Sequence, residues 1–126
     1  MFLNMEDLST CLLFIAIAVA AIVLLVLLIT RKKTIEEYYT DVDKVKSKYH
    51  VNRHGQKHGK EKIYDRNGKK NKVSHWKNGQ RDGRFVVYWD NGRKYIVGSY
   101  SQGQLTGDYV VYDKNSRDVI YQKNYD

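Results

Sequence analysis

Residues 79–102, GQRDGRFVVYWDNGRKYIVGSYSQ, decide the fold, because the same 24-residue unit is written on either side of them. Residues 55–78 read GQKHGKEKIYDRNGKKNKVSHWKN and residues 103–126 read GQLTGDYVVYDKNSRDVIYQKNYD. A fixed period of this length marks a repeat architecture, with one supersecondary element per unit. Gly55, Gly79 and Gly103 open the units, and Gly59, Gly83 and Gly107 follow four residues later. Ile63, Val87 and Val111 form an aliphatic column beside a tyrosine column, Tyr64, Tyr88 and Tyr112. Asn67-Gly68 and Asn91-Gly92 become Asn115-Ser116, and Trp76 and Tyr100 become Asn124.

Each unit reads as a β-hairpin. RFVVYW (84–89) and DYVVYD (108–113) are rich in β-branched and aromatic residues, which suit a pleated surface. Asn-Gly supplies a turn where positive φ costs little, KYIVGSY (94–100) is a return strand, and Gly79 to Gly83 lead into the next hairpin. Lone hairpins are marginal in water, so the units must share a sheet. Phe85, Val87 and Trp89 alternate with Val86 and Tyr88, which gives both faces large side chains. The expected fold is mainly β: a single-layer antiparallel sheet of three 24-residue hairpins (55–78, 79–102, 103–126) within a repeat region of 49–126.

The spacing resembles the MORN repeat, and more closely the MORN-variant repeat of the toxin–antitoxin antitoxin-like family. The residues that carry the likeness are Gly59, Tyr64, Asn67, Gly68, Trp76, Asn78 and Gly79, then Gly83, Tyr88, Asn91, Gly92, Tyr100 and Gly103, then Gly107, Tyr112 and Asn115. It covers about residues 50–126. Glu61 and Lys62 depart from it where later copies are apolar, and Ser116 and Asn124 depart in a last unit expected to fade into a cap. The resemblance implies binding surfaces rather than a fixed activity.

Residues 11–29, CLLFIAIAVAAIVLLVLLI, are uncharged and apolar, and at about 1.5 Å per residue they match a bilayer core. A transmembrane helix is expected over 11–30, after a short segment 1–10 that contains Glu6 and Asp7 and no cation, unlike a signal peptide. Arg31, Lys32 and Lys33 follow it, so the positive-inside rule puts the N-terminus outside and the repeat region in the cytoplasm of a single-pass protein. In the flank and connector 31–48, Ile35, Tyr38, Val42, Val45 and Tyr49 recur at helical steps, and Thr34 with Glu37 makes a capping box. A short amphipathic connector helix is expected there, ending by about Ser47. The repeat register also reaches back to suggest a further strand near 48–53.

The net charge of +8 favours anionic partners. It is graded: the first unit holds eight Lys/Arg against two acids (+6), the second four against two (+2), the third three against four (−1). Contacts with anionic lipid headgroups are expected at Arg31, Lys32, Lys33, Lys69, Lys70 and Lys72. Partner-binding aromatics are expected at Tyr64, Trp76, Tyr88, Tyr100 and Tyr112, and the turns at Gly59, Gly68, Gly79, Gly83, Gly92, Gly103 and Gly107. His50, His54 and His58 are four apart, but Gly55 and Gly59 break any helix that would align them on a metal. Asp65 and Asp113 share a column that Trp89 interrupts, and no nucleophile–base pair or phosphate-binding loop is present. The reading is therefore a membrane-anchored, non-enzymatic binding or scaffold module without cofactor, metal or small-molecule substrate. Its sheet would meet a protein partner or an anionic membrane. Nucleic-acid binding and antitoxin-like neutralisation of a partner protein are the alternatives.

Overall fold

A computed structural model describes residues 4–126, and residues 1–3 of the N-terminal segment lie outside the described residues. The chain divides into two compact units, the second being Lys32–Asp126.

The first unit is helix α1, Met5–Thr30, with Asn4 at its N-cap position. It starts earlier than the expected span and absorbs Met5 to Thr10. Ser9 and Thr10 hydroxyls donate back to the Glu6 carbonyl at 2.8 and 3.2 Å, so polar side chains add no break. The helix is apolar all round and none of its residues is buried. It is long and apolar enough to cross a membrane.

The second unit is one open antiparallel sheet of nine strands. They are β1 (Lys33–Tyr38), β2 (Val45–Val51), β3 (Gly59–Tyr64), β4 (Lys70–Lys77), β5 (Gln80–Arg81), β6 (Gly83–Tyr88), β7 (Lys94–Ser101), β8 (Gln104–Tyr112) and β9 (Val119–Asn124). Each strand pairs with the next, except that both the short β5 and β6 pair with β4.

The expected connector helix is not formed, and the boundary drawn at residue 48 falls inside a strand. Residues 33–38 and 45–51 are a hairpin, with Glu37 opposite Ser47 and Ile35 opposite Tyr49. The stripe that suggested a helix also carries a period of two, since Ser47, Tyr49 and Val51 alternate with Lys48 and His50. An isolated helix of that length, rich in β-branched and aromatic residues, is marginal. Pairing with β3 through Ser47–Ile63 and Lys48–Lys62 offers it a ladder instead.

Two kinds of turn link the strands. Asn78-Gly79 and Gln102-Gly103 both have positive φ at the two central positions (49° and 84°, 48° and 84°). That is the type I′ pattern, whose twist matches the flanking strands. At the other end of the sheet, Asp65 N–H pairs with the Lys69 carbonyl and Trp89 N–H with the Arg93 carbonyl. Only Gly68 and Gly92 take positive φ there, 81° and 80°. Asp65 Oδ1 accepts the Asn67 and Lys69 N–H groups at 2.9 Å each, which locks the turn.

The last hairpin solves its missing glycine with one extra residue. Asp113 N–H reaches the Asp118 carbonyl, and Arg117 takes the positive φ of 70°. The insertion shifts β9 by one position, so Tyr125 N–H bonds the Gly107 carbonyl. Tyr125 thus stands opposite Gly107 as Trp76 stands opposite Gly59 and Tyr100 opposite Gly83. The expected loss of the aromatic at Asn124 does not occur; the next residue replaces it.

Few side chains are buried: Val51 and Phe85 among the apolar ones, Ser47, Glu61 and Ser74 among the polar. Large residues are seated on small ones across the ladder, Glu61 opposite Ser74 and Phe85 opposite Gly98. A Cβ at residue 98 would lie 2.7 Å from Phe85 Cε1, so this glycine is required by close approach, not by its φ. Gly98→Ala should cost about 1–3 kcal/mol through the forced displacement of Phe85. Urea denaturation of the full chain in detergent, followed by tryptophan fluorescence, measures it.

Candidate functional site

Directly opposed residues of an antiparallel ladder share a face. One face, the first, therefore carries Glu37, Ser47, Tyr49, Glu61, Ile63, Ser74, Trp76, Phe85, Val87, Gly98 and Tyr100. The other carries Lys48, Lys60, Lys62, Val73, His75, Val86 and Val97.

On the first face, aromatic rings and cations alternate along one line. Lys57 Nζ lies 4.4 Å from the centre of the Tyr49 ring and 5.0 Å from that of Trp76. Arg81 Cζ lies 5.6 Å from Trp76 and 5.4 Å from Tyr100. A cation between two ring faces is held by both quadrupoles, at about 0.5–1 kcal/mol per exposed contact. Leu105 takes the third place of the same column, opposite Tyr100, and lines a hollow of about 350 Å³ with Tyr125. Lys123 Nζ covers the Tyr125 ring at 4.6 Å.

Beneath each aromatic lies one residue of the neighbouring strand. Glu37 accepts the Tyr49 hydroxyl at 2.9 Å and the Ser47 hydroxyl at 2.8 Å. Glu61, 4% exposed, accepts Trp76 Nε1–H at 2.7 Å and Lys57 Nζ at 2.5 Å. Phe85 packs on Tyr100 with ring centres 5.0 Å apart, and Tyr109 on Tyr125 at 6.2 Å. Carboxylates thus stand where the last two hairpins use rings, and each has donors for its charge. Ser47 and then Tyr49 hold the Glu37 carboxyl below the usual range, while Glu37 pushes the Tyr49 hydroxyl up. Burial, then the nearby Arg81, pushes Lys72 down.

The second face is basic. Lys48 stands directly opposite Lys62, a like-charge pair that a sheet normally avoids, although Lys48 also meets Glu36 at 2.6 Å. Towards the turns, tyrosines and cations line three shallow grooves. Tyr64 and Lys48 share one of about 330 Å³ with Gly68. Tyr88, Lys69 and Lys70 share one of about 300 Å³, where Lys70 Nζ lies 4.9 Å from the Tyr88 ring centre. Tyr88, Tyr112, Arg93, Lys94 and Arg117 line the third, of about 440 Å³.

The expected aromatics therefore divide: Trp76 and Tyr100 belong to the first face, Tyr64, Tyr88 and Tyr112 to the grooves of the second. The lysines divide too. Lys70 is opposite Tyr64 and Lys72 opposite Ile63, across a bulge, so they point to opposite faces. Lys69 Nζ reaches the Asp90 carbonyl at 3.2 Å. Arg31 is the C-cap of α1, Lys32 precedes β1, and Lys33 pairs with Val51. Gly59, Gly68, Gly79, Gly83, Gly92, Gly103 and Gly107 all have positive φ. The histidines take separate partners: His50 with Thr34, His54 with Arg53, His58 with Asn78, His75 with the Arg84 carbonyl. Tyr49, Lys57, Arg81 and Tyr125 were missing from the expected site. The 24-residue spacing of Lys57, Arg81 and Leu105 was legible, whereas Tyr125 enters only through the shifted last hairpin.

Glu61→Ala should destabilise the full chain by about 1–3 kcal/mol, because it strands the Lys57 and Trp76 donors. Glu61→Gln, which keeps an acceptor for both donors, should cost less; urea denaturation compares the two. The Glu37 carboxyl is depressed on folding, so its contribution is present above the unfolded value of about 4.3 and lost as pH falls through the folded value. Glu37→Gln should flatten that acid limb of the stability curve. Compared with protein families, with curated proteins and with solved structures, the chain matches none of them.

Proposed function

We propose that this chain is a membrane-anchored, non-catalytic binding module, built from MORN-like hairpin repeats, that presents its first face to a protein partner. The observation that carries this reading is the half-buried line of Tyr49, Lys57, Trp76, Arg81 and Tyr100 beside Glu37 and Glu61. Rigid aromatic and arginine side chains of this kind are the usual anchors of protein interfaces, since little entropy is lost on binding. The repeat reading is supported by the recurring contacts of Glu61–Trp76, Phe85–Tyr100 and Tyr109–Tyr125. The anchor is α1, and the basic Arg31-Lys32-Lys33 that follows it favours a cytoplasmic sheet with the N-terminus outside.

A second reading, contact with an anionic membrane surface, is favoured by Lys48, Lys60, Lys62 and Lys70 on the second face. Nucleic-acid binding has less support, because most of the stacking line lies on the opposite face from these lysines.

The two faces are tested separately. Trp76→Ala with Tyr100→Ala should abolish crosslinking to a protein partner in native membranes, while Lys60→Gln with Lys62→Gln leaves it intact. If the lysine variant alone loses its contacts, and the full chain in neutral nanodiscs co-floats with anionic but not neutral vesicles, the protein-docking reading fails and the lipid reading replaces it.

A further inference from the structure

The two edges of the sheet differ. β1 is blunted by charge: Lys33, Glu36 and Glu37 are among its six residues. β9 is not. All six of its residues are exposed, with Val119 at 52%, Ile120 at 61% and Tyr121 at 49%. Natural sheets normally guard an edge with charge, a bulge or a cover, because its free backbone groups recruit another strand. Tyr125 N–H is used on the β8 side, at 3.0 Å from the Gly107 carbonyl. Alternation along the ladder then turns Lys123 and Tyr121 towards β8 and leaves the N–H and C=O groups of Gln122 and Asn124 pointing away. Among the described residues no strand pairs with that side.

We propose that β9 is a homodimer edge, on which β9 of a second copy of this chain pairs antiparallel about Gln122. A two-fold axis pairs a strand with itself antiparallel and closes the assembly, whereas β9 on β1 would be head-to-tail and open-ended. Charge favours the same occupant. The third unit is the only acidic one, at three cations against four acids, so two copies meet where the strongly basic first units are farthest along each sheet. With Gln122 on the axis, Lys123 faces the partner's Tyr121 and not the partner's Lys123. Lys123 already covers a tyrosine ring, that of Tyr125.

The test uses the full chain in detergent micelles. Light scattering should give a dimer, and Gln122→Pro, which removes only an outward N–H, should give a monomer with an unchanged circular dichroism spectrum. In a Cys11→Ser background, Gln122→Cys should form a disulfide-linked dimer on mild oxidation, since an on-axis pair stands about 5.5 Å apart at Cα. This crosslink stands as evidence even where the proline variant misfolds. Three results would overturn the proposal: a wild-type chain that stays monomeric at all concentrations, a dimer that survives Gln122→Pro in a folded chain and so is made by α1, or a ladder of higher oligomers when Glu36→Cys is combined with Gln122→Cys.

Discussion

A one-layer sheet has no second layer of strands to bury its side chains against, and the rest of this structure follows from that constraint. Apolar surface has to be covered within the face itself, by a large side chain seated on a small neighbour. Phe85 on Gly98 is the clearest case: the ring is 5% exposed although it lies on a surface. Full burial of such a ring contributes about 2–3 kcal/mol, which a ribbon this thin finds at few other positions. The same seat is filled by Ser47 and Ser74 under polar partners.

Cations take the role that a second layer would play elsewhere. Lys57 and Arg81 lie over the half-buried rings, covering aromatic surface with their stems while their charges meet ring faces or Glu61. On the proposed reading, stability and recognition share the same side chains. The residues that shield the face from water are also the ones a partner would touch, and a partner that supplies its own cover would release them. The second face has valines near its centre, and the turns are tied to one another by contacts such as Arg66 with Asp41 at 2.6 Å and Lys114 with Asp90 at 2.7 Å.

Much of this architecture is legible in the residue types. The 24-residue spacing of the sequence, its mainly β antiparallel character and the apolar helix could be read from residue types alone, because turn glycines and strand residues are chosen by local backbone geometry. Lys60 and Lys62 were missing from the expected contacts, which fell on Lys69, Lys70 and Lys72, although they alternate with Glu61 and Ile63 in a strand. The stretch 33–51 was not legible. Its apolar residues fit both a helical and a two-residue period, and local preference leaves that choice open. The unpaired side of β3, together with Glu37 bonding Ser47 and Tyr49, settles it as strands.

The sequence by itself determined the 24-residue spacing, the turn glycines and the long apolar helix, all of which depend on residues within one unit or one helix. Only the tertiary structure decided which side chains share a face and which aromatic closes the last hairpin. A single bulge separates Lys70 from Lys72, and a single extra turn residue puts Tyr125 in the place that the repeat assigns to Asn124. Side chains in a strand alternate with a period of two, so one residue of slip reverses every face beyond it, and that slip is set by pairing between strands.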